Sequence, residues 1–272
     1  MPTYTLHAIN VGSFPLGESD KVLTLFSAER GIVRAVAKGA RKPGSKIGGR
    51  ADLLNLNRLL MATGRSLEII SQAETIETFP RLRDDLTRLS FALYYAELTS
   101  HFGLGLSLES DAYLDFLCQS LKEQAGGEQD AAVLCLQFEL KLLEWLGYQP
   151  ELDCCVQCRD PLSDYRIEVF NFELGGIVCD QCMRKERQQY VKERQAGRPK
   201  PGSLQSNEVV QVTPLVWKRL ILASHGSGSA QVAPENSPAL LSSNQAARRI
   251  VQGYIEYRAG KRMKALDLIG KL

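Results

Sequence analysis

Long apolar runs are missing from this chain, so it has no stretch of the roughly 18 residues needed to span a bilayer. The first residues, MPTYTLHAINVG, carry neither a basic n-region nor an apolar h-region, and no secretory signal is expected. Together these absences imply a reducing, cytoplasmic compartment and no membrane partner. In such a compartment, paired cysteines signal metal more often than disulfide. Histidine is scarce: His7, His101 and His225 lie in separate segments without ligand or triad spacing. No G-x-S-x-G elbow is present. The stretch from Gly39 to Gly44 begins like a phosphate loop, but Ser45-Lys46 reverses the Lys-Ser/Thr order that hydrolysis of a nucleotide would need. Glu18 and Asp20 pair two carboxylates without a second acidic cluster, which leaves a two-metal nuclease site unsupported. Nothing in the sequence demands catalysis, and the protein is expected not to be an enzyme.

What the chain does hold is a local surplus of cations hidden by a formal net charge of only +2. Between positions 30 and 65 stand Arg30, Arg34, Lys38, Arg41, Lys42, Lys46, Arg50, Arg58 and Arg65 against one acid, Asp52. The segment reads as β-structure. Strands are expected over Tyr4–Val11, Val22–Phe26, Ile32–Lys38, Leu53–Leu60 and Leu67–Ala73, with turns at Ser27–Gly31 and Thr63-Gly64. Period-2 alternation puts Val33, Ala35 and Ala37 on one face of the third strand and Arg34, Val36 and Lys38 on the other. The following Gly39–Gly49 segment, rich in glycine and cations, reads as a loop able to offer N–H groups and mobile charges to a phosphate. Five strands in about 75 residues with a basic face fit a small barrel of the OB type. A folded basic surface suits a polyanion, most often a nucleic-acid backbone. Arg34, Lys38, Arg41, Lys42, Lys46 and Arg50 are the candidate DNA-binding residues. Aromatic residues are few here (Tyr4, Phe14, Phe26, Phe79), and Phe14 is expected to be a packed core ring. Affinity is therefore expected to come from charge more than from stacking.

From about Thr78 the period turns helical. Leu86, Leu89, Leu93 and Ala96 form one stripe, Leu114, Leu117 and Leu121 a second, and Leu136, Leu140 and Leu143 a third. Gly126-Gly127 separates the last two, and Gly147 fits the residue that closes the third helix. Residues 81–147 are net acidic, and this charge reversal argues for a first domain over 1–80 and a helical one over 81–272. Further on, 184–200 reads as helical or disordered, and a helix is expected at Pro214–Ser224. A Ser/Gly-rich linker is expected over 225–243. A last helix, from about Asn244, is expected to carry Arg248, Arg249, Arg258, Lys261, Arg262 and Lys264, a second basic surface.

Cys155-Val-Gln-Cys158 and Cys179-Asp-Gln-Cys182 make a C-x2-C-x20-C-x2-C pattern. Each pair can present two thiolates to one ion, and the intervening hairpin closes a tetrahedral, all-sulfur site for structural Zn²⁺; redox pairs are the alternative. Four thiolates leave no open position for catalysis. Cys154 competes with Cys155 on spacing, and Cys155 is preferred because it gives matching pairs. Cys118 and Cys135 read as buried apolar residues.

Gly17-Glu-Ser-Asp-Lys-Val-Leu-Thr-Leu-Phe-Ser-Ala-Glu-Arg-Gly31, followed by Ala37-Lys-Gly-Ala-Arg41 and Ser45, resembles the N-terminal signature of the RecO family of bacterial recombination-repair mediators. The segments from Leu140 to Pro150, Leu152 to Cys158 and Gly175 to Cys182 resemble that family's helix-to-zinc region. The likeness covers about residues 1–183. Where the family usually has glycine after the second cysteine, this chain has Arg159. The resemblance implies an α+β multidomain protein: an N-terminal five-stranded OB-fold barrel, then an α-helical domain with an embedded four-cysteine zinc module over 152–183. It further implies a non-enzymatic role: binding single- and double-stranded DNA, annealing complementary strands, pairing with RecR, contacting SSB and helping to load RecA. Two rival readings remain at this point. One is a protein-interaction adaptor whose basic face meets an acidic partner; the other is a metal-dependent nuclease.

Overall fold

The computed structural model describes residues 2–64, 66–195, 208–225 and 238–266. It divides into two compact units, Met1–Leu134 with Arg262–Leu272, and Cys135–Lys261. In the first unit β1 (Thr3–Leu16), β2 (Asp20–Ser27), β3 (Gly31–Ala37), β4 (Leu56–Ala62) and β5 (Glu68–Glu77) close a barrel in the order β1-β2-β3-β5-β4. Neighbours are antiparallel except β3 and β5, which run parallel. This closed five-strand barrel is an OB-fold. Alternation fills it: Leu6, Ala8, Leu23, Leu25, Ala35, Ala37, Leu59, Met61 and Ile70 form one buried cluster. Burying each large side chain among them contributes roughly 1.5–3 kcal/mol. The β4–β5 turn needs glycine at Gly64, because an added Cβ would stand 1.9 Å from the Leu67 carbonyl oxygen.

β1 does not keep one register. A bulge lies between Asn10 and Gly12, so that Asn10 pairs with Leu25 while Gly12 pairs with Thr24. Asn10 is fully buried and holds the irregularity, donating to the Ala51 carbonyl (2.7 Å) and accepting from the Gly12 N–H (3.2 Å). The extra residue reverses the alternation beyond it. Even-numbered Leu6 and Ala8 face the barrel interior, but past the bulge Ser13 pairs with inward Leu23 and Phe14 pairs with outward Val22.

Helix α1 (Leu86–Phe102) starts on Asp85, whose carboxylate accepts from the N–H groups of Thr87 and Arg88. It and α2 (Ser110–Gly126) cover one end of the outer barrel face. There Phe26 meets Tyr113 edge-on at 5.1 Å, and the Ser110 hydroxyl donates to the Ala28 carbonyl at 2.6 Å. Gly103 is required by close approach, since a Cβ there would lie 2.4 Å from Ile32. Glu97 of α1 accepts from the backbone N–H groups of Lys264 (3.0 Å) and Ala265 (2.8 Å), fastening the last described turn.

Helix α3 (Ala131–Trp145) carries the chain into the second unit and closes at Gly147 with φ 72°, where the sequence placed its end. That unit holds a three-stranded antiparallel sheet in the order β7 (Gly176–Cys179), β6 (Ile167–Asn171), β8 (Val209–Gln211). Among the described residues three further helices follow in chain order: α4 (Asp180–Gln195), α5 (Pro214–Ser224) and α6 (Pro238–Ala259). The Trp217 indole of α5 donates to the Leu152 carbonyl at 2.7 Å. The last helix begins before Asn244, because Pro238 suits a first helical turn and apolar positions from Leu240 onward continue the stripe. It ends at Ala259, so Lys261, Arg262 and Lys264 lie past it. The expected linker over 226–237 and the segment 196–207 lie outside the described residues.

Candidate nucleic-acid interface and metal centre

The six cations named from sequence, Arg34, Lys38, Arg41, Lys42, Lys46 and Arg50, are all exposed. Among the described residues none of them forms an ion pair. Two other cations of the stretch are engaged. Arg58 pairs with Glu74, and Arg30 lies over the Tyr4 ring at 3.9 Å from its centroid. Arg65 is outside the described residues. The single local acid, Asp52, turns away to Lys21 at 3.5 Å.

The Gly39–Gly49 segment is a folded cap and not the mobile loop its glycines suggest. Its turns are closed by backbone bonds from Lys42 N to Gly39 O (3.0 Å), Ser45 N to Lys42 O (3.1 Å) and Gly48 N to Ser45 O (3.2 Å). Ala40 and Ala51 are buried in the barrel cluster, and Ile47 packs against it. Asn55 and Asn57 donate to the carbonyls of Gly49 (2.8 Å) and Arg50 (2.9 Å) and hold the far end. Because these N–H groups are consumed internally, the cap can offer a phosphate its side-chain charges more than its backbone.

Asp20, one of the two carboxylates weighed against a nuclease site, joins this cap to the β1–β2 hairpin. Its carboxylate accepts from the Gly39 N–H (2.8 Å) and the Ser19 hydroxyl (2.8 Å). Those two bonds, the Gly39 one first, hold its carboxyl below the usual range, with Lys38 and Lys42 adding attraction. Lys38 and Lys42 therefore gather near one carboxylate. Arg41 is fastened to the hairpin, its N–H reaching the Ser19 carbonyl (2.9 Å) and its guanidinium the Gly17 carbonyl (3.0 Å). Arg50 donates to the Lys46 carbonyl, which sets those two side by side. Arg34 stands apart, on the outer face of β3. Phe14 departs from expectation: it is not a core ring but 51% exposed, because the bulge turns it outward.

In the second unit Cys155, Cys158, Cys179 and Cys182 place their sulfurs within 4.8 Å of one another. The β6–β7 hairpin delivers Cys179, and the first turn of α4 delivers Cys182. Cys155 and Cys182 are 3.9 Å apart at sulfur, and Cys158 and Cys179 are 3.8 Å apart. A tetrahedron with metal–sulfur bonds of about 2.3 Å has edges of about 3.8 Å, so the donor set fits one four-coordinate ion. Burial pushes the Cys155 thiol up, but N–H groups of Cys158, Cys179 and Gln157 outweigh it and bring it down to about 7. The Cys179 N–H reaches that sulfur at 3.3 Å. Cys154 is outside the cluster; its neighbourhood is a bridge to Pro161. Cys118 and Cys135 are buried in helices, as expected, and burial raises both thiols, Cys118 to about 12.

Arg159 occupies the left-handed region at φ 62°, with its N–H on the Cys155 carbonyl (2.9 Å). The tight turn is thus kept without glycine. A left-handed L-residue costs roughly 1–2 kcal/mol, while glycine gives back about 0.5–1 kcal/mol through unfolded-chain entropy. The exposed Arg159–Glu151 pair adds little against this. Arg159→Gly should therefore stabilise the protein by about 0.5–1 kcal/mol, a rise in melting temperature of a few degrees in a calorimetric scan.

The last basic helix offers less than its sequence suggests. Arg258 lies over the rings of Tyr254 (5.1 Å), Tyr148 (5.2 Å) and Tyr257 (5.8 Å) and donates to the Glu173 carbonyl. Arg248 donates to Gln252 at 3.4 Å.

An OB-fold barrel, a helical region and a four-cysteine cluster able to hold a metal ion define a multidomain α+β protein. Residues 1–79 match the family described as recombination protein O N terminal, and residues 83–196 match recombination protein O C terminal. A DNA repair protein RecO of a Nostoc species is 31% identical over 282 residues, covering 98% of this chain and 95% of that one. Those of a Cyanothece species and of Pelotomaculum thermopropionicum are each 40% identical over 184 residues. The Cyanothece match covers 65% of this chain and spans 62% of its relative, less than two thirds; the other covers 67% and 70%. The chain belongs to the RecO family of DNA repair proteins. Among the described residues no helix is long and apolar enough to cross a membrane.

Proposed function

We propose that this protein is a non-enzymatic, cytoplasmic recombination mediator that grips DNA by its sugar-phosphate backbone. Arg34, Lys38, Arg41, Lys42, Lys46 and Arg50 neutralise phosphates. The reading rests on one observation: these six side chains are exposed and outside every ion pair among the described residues. An exposed cation outside any ion pair is available to a phosphate, and such contacts are indifferent to sequence. That indifference suits a protein needed wherever damage occurs. Neutralising two strands at once lowers their mutual repulsion, so the same surface anneals complementary strands. With RecR, the protein helps to load RecA onto single strands coated by SSB. Cys155, Cys158, Cys179 and Cys182 hold one structural Zn²⁺, which supplies folding energy to the second unit and takes no part in chemistry.

The test is annealing of complementary strands coated with SSB, run on protein whose zinc content is measured in the same preparation. Annealing well above the protein-free rate, falling steeply as salt rises, is the expected result. Absence of any shift of bare oligonucleotides, with binding only to an acidic protein partner, would transfer the basic face to the adaptor reading. Cleavage of labelled DNA with Mg²⁺ or Mn²⁺ would favour the nuclease.

A further inference from the structure

The outer face of the β1–β3 sheet carries an exposed aromatic ring on β1, in the cross-strand row that falls midway between two of the unpaired cations of β3. Cross-strand partners set its rows. Gly12, Thr24 and Arg34 form one; Phe14, Val22 and Val36 form the next. Beyond it, Leu16 pairs with Asp20, and Lys38 follows the end of β3 by one residue. All of these lie opposite the inward set Leu23, Leu25, Ala35 and Ala37. Along β3, Arg34 and Lys38 are about 13 Å apart, with the Phe14 row midway. Phe14 is 51% exposed and Leu16 42%, while Val22 beneath the row is buried. Among the described residues no ring or cation contact involves Phe14.

We infer that Phe14 stacks on an unpaired base and gives this face its preference for single-stranded over duplex DNA. The inference rests on the phosphate-binding reading above and adds to it a base contact that charge alone does not supply. A strand whose phosphates meet both Arg34 and Lys38 passes the Phe14 row, and a base extended about 10 Å across β2 lies over the ring. In a single strand that base can offer its π-face to the ring; in a duplex the face is already covered by its neighbours. Stacking is tolerant of base identity, because every base has such a face, so the contact preserves indifference to sequence. The β1 bulge is what makes the site, since without the extra residue Phe14 would point into the barrel.

Full-length protein with Phe14→Ala or Phe14→Trp is titrated by fluorescence anisotropy against three probes: an oligo-dT strand, a hairpin duplex and an abasic strand of equal length. Phe14→Ala should weaken oligo-dT binding roughly tenfold or more, as expected for losing one base–aromatic stack. Hairpin and abasic-strand affinities should change less than twofold, and Phe14→Trp should keep oligo-dT affinity. The salt slope should be unaltered, because no phosphate contact is lost. Equal losses on oligo-dT and abasic strands, or no loss on either, overturn the stacking role. If Phe14→Ala is silent while removal of the cap cations flattens the salt slope, stacking falls and the phosphate reading stands. If neither variant alters DNA binding, both fall. An unchanged melting temperature for Phe14→Ala, expected of a half-exposed ring, separates these outcomes from misfolding.

Discussion

Cys179→Ser should strip the protein of its zinc and lower its melting temperature by roughly 10 °C or more. Cys155 and Cys179 are fully buried and Cys182 nearly so, at the centre of a cluster with Val169, Val178 and Met183. Strands β6 and β7 also bury Phe170 and Ile177, and Phe170 meets the rings of Phe172 and Tyr254, so metal bonds would add to an apolar core. The bonds to the proposed Zn²⁺ would nonetheless supply a large share of the free energy that orders the cysteine-bearing turns. Structural zinc contributes on the order of 10–16 kcal/mol in isolated zinc-binding peptides, as much as a whole domain's typical stability. Losing even a few kcal/mol of that shifts the transition of a unit this size by about 10 °C. Metal content of the purified variant, by elemental mass spectrometry, should fall to background while the wild type carries about one ion per chain. Cys154→Ser is the internal comparison. That sulfur lies outside the cluster, so neither metal content nor melting temperature should move appreciably. If Cys179→Ser retains both, the four thiolates are not a metal site.

The parts of this molecule that were legible in the sequence are those governed by one local period. The β3 alternation placed Arg34 and Lys38 outside and Ala35 and Ala37 inside, and the structure agrees. The helical stripes and the Gly147 stop were equally direct, since each depends on residues within one or two turns. The matched C-x2-C spacing favoured Cys155 over Cys154, and Cys155 is the one whose sulfur joins the cluster. What failed was long-range. The outward turn of Phe14 depends on a bulge held by Asn10, whose amide bonds to Ala51, forty-one residues away. The cap over Gly39–Gly49 looked mobile because glycine and lysine dominate it. Ala40, Ile47 and Ala51 carried the contrary signal, three apolar residues able to plug a barrel end. Only the closed barrel gives them something to plug.

The cap cations give the other large effect: Arg41, Lys42 and Lys46 replaced together by alanine should weaken single-strand binding about 100-fold at 0.1 M salt. Each phosphate neutralised on a single strand contributes a slope of roughly −0.7 to log K against log salt. About five contacts from the six candidate cations would give the wild type a slope near −3.5, and removing three should flatten it by about 2. Extrapolated to 1 M salt, where counterion release contributes almost nothing, the two proteins should bind with nearly equal weakness. A loss of fold would instead lower affinity at every salt concentration. Arg41 also holds the Gly17 carbonyl, so its removal loosens the hairpin as well as deleting a charge. The pair Lys42→Ala with Lys46→Ala avoids this, since among the described residues neither ammonium is bonded to the protein, and should flatten the slope by about 1.4. Proportionality between charges removed and slope lost is a signature that neither a damaged cap nor an adaptor surface would produce. A slope unchanged in both variants would place the DNA contact elsewhere, and on α6 the exposed Arg249 would be the first residue to examine.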